Sequence, residues 1–159
     1  MGETTKIRQQ LVKHLKGGEA FMPLEEMLKK ISFEKVGVRP GNLPYSFYEL
    51  FYHIRFAQKD ILEYCTLENY SDYNWPDDYW PKIQSPQSRD EWEELQKSYL
   101  EERTAFCDFL LQEGTSLMEP VRTETKNTLF REVLLVLEHT AYHTGQLLIV
   151  LRELGLHSS

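Results

Sequence analysis

Long apolar runs are missing from this chain. No stretch of roughly 18 or more apolar residues occurs in its 159 residues, so no membrane-spanning helix is expected. The opening "MGETTKIRQQ" is polar and lacks the apolar centre of a secretion signal. Lys6 stands where a myristoylation signal would need Ser or Thr. Cysteine is scarce: Cys65 and Cys107 are the only two, and neither belongs to a Cys-x-x-Cys motif. They are expected as free thiols of a core, in a cytoplasmic protein. Basic residues are in the minority, 18 Lys and Arg against 25 Asp and Glu, for a net charge of −7. The basic residues are scattered, so nothing favours a nucleic-acid partner. There is no G-x-S-x-G, no H-E-x-x-H and no Gly-rich phosphate loop, so no familiar nucleophile or phosphate cradle is offered.

What remains is a chain 41% hydrophobic and 27% charged, with 13% aromatic residues, long enough to bury the core of one domain spanning 1–159. No segment alternates as a strand does. Helical spacing is found instead in four long stretches. The first covers about Thr4 to Lys16, with Ile7, Leu11 and Leu15 on one face and Gly17-Gly18 as the stop. Pro23 fits the first position of a short helix over "LEEMLKKI". The second long stretch runs from Ser46 to about Cys65, the third from Ser88 to about Glu113, and the fourth from Asn127 or Thr128 to Glu153 or Leu154. Ser46 with Glu49, and Ser88 with Glu91, have the spacing of capping boxes, and Gly155 suits a helix C-terminus. The pattern predicts an all-α four-helix bundle.

One connection is abnormally long. Residues 67–87 carry Tyr70, Tyr73, Trp75, Tyr79 and Trp80 together with several prolines. A crossover running the length of the bundle would leave the second and third long helices parallel, giving an up-down-down-up order. Two roles fit its aromatics: pinning the crossover to the bundle, and walling a pocket.

The inward seam of the last helix reads Val136, His139, His143, Gln146, Val150. Residues four apart lie one turn apart on one face, so His139 and His143 can meet at one ion. The seam of the second long helix reads Leu50, His53, Ala57, then Ile61 or Asp60, then Tyr64. A third histidine therefore sits on an interior face, beside a small residue. A buried imidazole without a partner costs roughly 1–3 kcal/mol, and a divalent ion satisfies all of the interior histidines at once. Three protein ligands leave positions open for water or substrate. Any chemistry would then centre on the ion, which lowers the pKa of a bound water or a substrate thiol. His14 and His157 read as surface residues. Among residues able to orient the ligands, Gln146 stands out as one turn past His143 on the seam. Glu49 is a further candidate although the capping box also claims it. Asp60 has a solvated reading, and Glu138 points about 100° away from the seam.

The stretches "GGEAFMPLEEML", "SFYELFYHIRFAQKDILEYC", "YWPKIQSPQSRDEWEEL" and "TLFREVLLVLEHTAYHTGQLLIVLRELG" span nearly the whole chain. They resemble the DinB-like (damage-inducible) superfamily of small bacterial metal-binding bundles, which includes the YfiT-like proteins. The resemblance implies an up-down-down-up four-helix bundle, a homodimer, and a divalent metal, Zn or Ni, held by three histidines that map onto His53, His139 and His143. Characterised relatives include thiol S-transferases using low-molecular-weight thiols such as bacillithiol, and a mycothiol-dependent isomerase. The expectation is a metal-dependent thiol S-transferase of stress or detoxification chemistry, acting on a small-molecule substrate. A metal-dependent hydrolase and a non-catalytic metal-binding stress protein are the alternatives.

Overall fold

A computed structural model describes residues 2–158. It is all-helical, with five helices: α1 (Glu3–Lys16), α2 (Leu24–Lys30), α3 (Phe47–Thr66), α4 (Arg89–Leu111) and α5 (Leu129–Glu153). No strand occurs among the described residues; Pro120 and Thr128 form one isolated bridge. No described helix is long and apolar enough to cross a membrane.

The helix ends follow local chemistry. Gly17, at φ 80°, ends α1 in a conformation that side chains disfavour. The start of α3 is a complete capping box: Ser46 accepts from the Glu49 amide, and the Glu49 carboxylate accepts from the Ser46 amide at 2.7 Å. The α4 box is only half made. Ser88 accepts from the Glu91 amide, but Glu91 reaches back to the Gln87 amide instead. That helix stops at Leu111, two residues short of the expected Glu113. Pro23 caps α2 rather than opening its first turn. At the end of α5, the Gly155 amide bonds the Arg152 carbonyl and the Leu156 amide the Leu151 carbonyl, a Schellman motif with Gly155 at φ 71°.

Two apolar clusters fill the interior. One joins Phe47, Leu50, Phe51 and Ile54 of α3 to Trp92 and Tyr99 of α4 and to Leu147, Val150 and Leu151 of α5. The other joins Leu11, Val12 and Leu15 of α1 to Ile61 of α3, to Phe106 and Leu110 of α4, and to Leu129, Val133 and Val136 of α5. Between Phe51 and Ile61 on α3, and between Val136 and Leu147 on α5, the buried residues include the polar His53, Gln58, His143 and Thr144. A polar layer thus divides two dry ones, and the histidines lie in it. His14 is exposed, whereas His157 is half-buried rather than fully at the surface.

The crossover from α3 to α4 is tied down along its length. Tyr70 and Tyr79 donate their hydroxyls to Asp60, and Tyr73 donates to Glu63 at 2.6 Å. Ser46 donates to the Gln84 carbonyl at 2.8 Å. Gly37 passes so close to Ser85 that a Cβ there would overlap it.

Candidate metal centre

His53 comes from the middle of α3, and His139 and His143 from successive turns of α5. One ring nitrogen from each lies within 4.8 Å of the others. His53 Nε2 and His139 Nε2 are 3.0 Å apart. Two nitrogens bound to one ion at about 2.0–2.1 Å stand about 2.8–3.4 Å apart for angles between about 90° and 109°, so this pair already has the spacing of metal ligands. His53 is 2% exposed and His143 8%.

The outer ring nitrogens fix which tautomers are present. His53 Nδ1 lies 3.0 Å from the Tyr79 carbonyl oxygen. That oxygen can only accept, so the proton sits on Nδ1 and the Nε2 lone pair is free. His143 Nδ1 lies 2.6 Å from Gln146 Oε1 and is held the same way. Without an ion, His139 Nε2 is therefore the donor in its contact with His53. His53 and His143 thus turn bare nitrogens inward and have protonated nitrogens tied outward, as an imidazole site for a divalent ion requires.

Electrostatics keep these rings neutral. Burial, reinforced by His143, lowers the His53 pKa to about 4. Burial, with His143 and His53 beside it, lowers that of His139 to about 3. Burial also lowers His143, against the opposing effect of the hydrogen bond it donates to Gln146 Oε1. A neutral imidazole is the form that binds metal, so protons compete weakly here at neutral pH.

The crossover supplies one wall. Trp80 stacks flat on His53, with ring centroids 4.0 Å apart and 7° between planes. Tyr79 and Trp75 lie 6.4 and 6.1 Å from the same ring. Tyr142 meets His143 edge-on at 4.9 Å. Trp75 and Tyr142 are exposed, at 69% and 68%. Tyr70, Tyr73 and Tyr79 thus pin the crossover, while Trp75, Tyr79 and Trp80 face His53.

The structure brings Gln146 to His143 but places Glu49 elsewhere. Both Glu49 oxygens are engaged by Arg39 and by the Ser46 amide, so it orients no histidine. Glu138 is exposed. Asp60 is not a solvated carboxylate: it accepts two tyrosine hydroxyls. Sequence reasoning missed Tyr79 and Trp80 as partners of His53. The Tyr79 contact is made by a backbone carbonyl, which no side-chain pattern reports. Trp80 carried a signal only as one aromatic among several.

The whole chain, residues 1–159, matches the DinB family. No curated protein and no solved structure matches it. The chain belongs to the DinB family.

Proposed function

We propose that this DinB-family chain is a metal-dependent thiol S-transferase, in which His53, His139 and His143 hold one divalent ion, Zn or Ni. The observation that carries the reading is the convergence of three imidazoles whose burial keeps them neutral, two of them with Nδ1 already given to an oxygen acceptor. Membership of a metal-binding family supports it.

When bound, such an ion supplies a Lewis acid that favours the deprotonated form of a thiol near neutral pH. The chain's own residues do the rest. Tyr79 and Gln146 orient two of the rings. Trp75 and Tyr142 offer exposed apolar faces beside them, suited to the carbon skeleton of an electrophile. The thiol must come from outside. Burial pushes the Cys65 thiol up to about 12 and raises Cys107 as well, so neither is a thiolate at neutral pH. Cys65 also lies 12 residues past His53, about 18 Å along α3 at ~1.5 Å per residue. In the reaction a carbon–sulfur bond forms to the electrophilic carbon while the bond to a halide, the epoxide C–O bond or the alkene π bond breaks, and the thiol proton passes to solvent with a departing halide or ends on the oxygen or carbon of the adduct.

The finer architecture belongs to the same proposal. An up-down-down-up order is supported by pairings that advance together along α3 and α4, Tyr48 with Glu91 and Arg55 with Glu102. A homodimer is supported by the exposed apolar Leu134 and Ile149, which share a face of α5.

The test is transfer of low-molecular-weight thiols to a panel of alkyl halides, epoxides and activated alkenes, with metal-loaded and metal-stripped protein. Metal-dependent loss of thiol with formation of the thioether is expected. No transfer by fully loaded protein would overturn the transferase reading, and metal-dependent cleavage of esters or amides in its place would make the chain a hydrolase.

A further inference from the structure

We infer that the α3–α4 crossover is part of the metal site, and that Asp60, acting through the hydroxyls of Tyr70 and Tyr79, is the positioning residue for His53. The consequence for metal affinity rests on the proposed ligand set; the consequence for the His53 ring does not.

Tyr79 touches α3 at two places. Its carbonyl accepts from His53 Nδ1 at 3.0 Å, and its hydroxyl donates to Asp60. These contacts lie seven residues apart, about 10 Å along the helix. Between them the Tyr79 ring packs on Phe56, 5.1 Å between centroids. A residue held at both ends and in the middle has its peptide plane fixed, so its carbonyl stays aimed at His53. Trp80, next in sequence, is thereby laid flat on the same imidazole.

Asp60 is committed to this arrangement with both oxygens. Oδ1 accepts from Tyr70 at 2.6 Å, and Oδ2 accepts from Tyr79. Burial, then the Asp60 hydrogen bond, raises the pKa of each phenol, so both remain donors throughout the working pH range. The crossover has another attachment, the Tyr73 hydroxyl on Glu63, with Lys59 alongside. That attachment does not reach residues 79–80. Losing it separates loop tethering from ring orientation.

The chemical effect is on the His53 tautomer. An imidazole without an acceptor at Nδ1 favours the Nε2–H form, which blocks the inward lone pair. A carbonyl kept at Nδ1 reverses that preference before any ion arrives.

The experiment uses the full chain and the variants Asp60→Asn, Tyr79→Phe and, as the tether control, Tyr73→Phe. Two-bond nitrogen–proton NMR spectra of the metal-free proteins read the His53 tautomer. Competition against a chromophoric chelator reads zinc affinity, and far-UV circular dichroism confirms that each variant is folded. We expect the Nδ1–H form in the wild type and in Tyr73→Phe, and a mixture with Nε2–H in the other two. Zinc affinity should fall about tenfold or more in Asp60→Asn and Tyr79→Phe, and by less than about twofold in Tyr73→Phe. If Tyr79→Phe does not fold, Asp60→Asn, which keeps one acceptor oxygen, still decides. An unchanged His53 tautomer in folded Asp60→Asn, or Nε2–H in the metal-free wild type, would overturn the inference. A wild type that binds no zinc would remove the proposed function while the tautomer readout still judged Asp60.

Discussion

His143 and His139 illustrate how differently two histidines on one seam are supported. Gln146 fixes His143 through a single short hydrogen bond, whereas His139 Nδ1 has no partner among the described residues. Gln146→Ala frees the His143 ring to choose its tautomer. Metal affinity should fall about 10- to 100-fold, measured by chelator competition, with the helix content unchanged. The seam was legible because a period of three and four places 139, 143 and 146 on one face. The acceptors of His53 were not, since a backbone carbonyl belongs to every residue alike. Glu49 misled for a related reason: spacing reports which residues share a face, while its true partner, Arg39, lies on the connector before the helix.

The same residues set a pH dependence for the metal-free protein. Burial holds His53 at about 4 and His139 at about 3, below the 6.5 of an unburied histidine. Between those values the unfolded chain binds more protons than the folded one. Stability is therefore unaffected by these groups above about pH 6.5 and falls as pH drops from there, toward about 4 for His53 and about 3 for His139. Urea denaturation at several pH values should show this loss in the wild type and a smaller one in His139→Gln. Equal losses would show that other groups cause it.

At the scale of elements, α3 carries the most. Its N-terminal box is joined to the far end of the crossover, because Ser46 both caps the helix and donates to the Gln84 carbonyl. Ser46→Ala should cost about 1–2 kcal/mol in equilibrium denaturation, more than a cap at an exposed helix end. Ser88→Ala, at an exposed N-terminus with only one arm of its box made, should cost about half that or less. The two boxes look alike in sequence. They differ in the structure because the Glu91 carboxylate is drawn toward Tyr48 and the Gln87 amide. The crossover was recognisable as an anomaly of length and aromatic content. Its path was not, since it is set by hydroxyls meeting Asp60 and Glu63 on a helix several turns long.

Across the whole molecule, apolar clusters lie on either side of the polar layer, so the helices are expected to keep their packing without an ion. The all-helical class was readable from periodicity, because apolar faces recur through every long helix. Chelation should lower the melting temperature by the binding free energy alone, following RT ln(1 + [M]/Kd), and leave the far-UV circular dichroism of the helices intact. Collapse of the helices on chelation would instead make the ion structural.

The central claim is that three histidines form one metal site. The most direct measurement is elemental analysis, paired with a zinc titration, of the wild type beside His53→Ala, His139→Ala and His143→Ala. One divalent ion per chain in the wild type, and loss of that ion in each folded variant, is the predicted result. A wild type without metal, or a folded His139→Ala that retains a full equivalent at wild-type affinity, would contradict it.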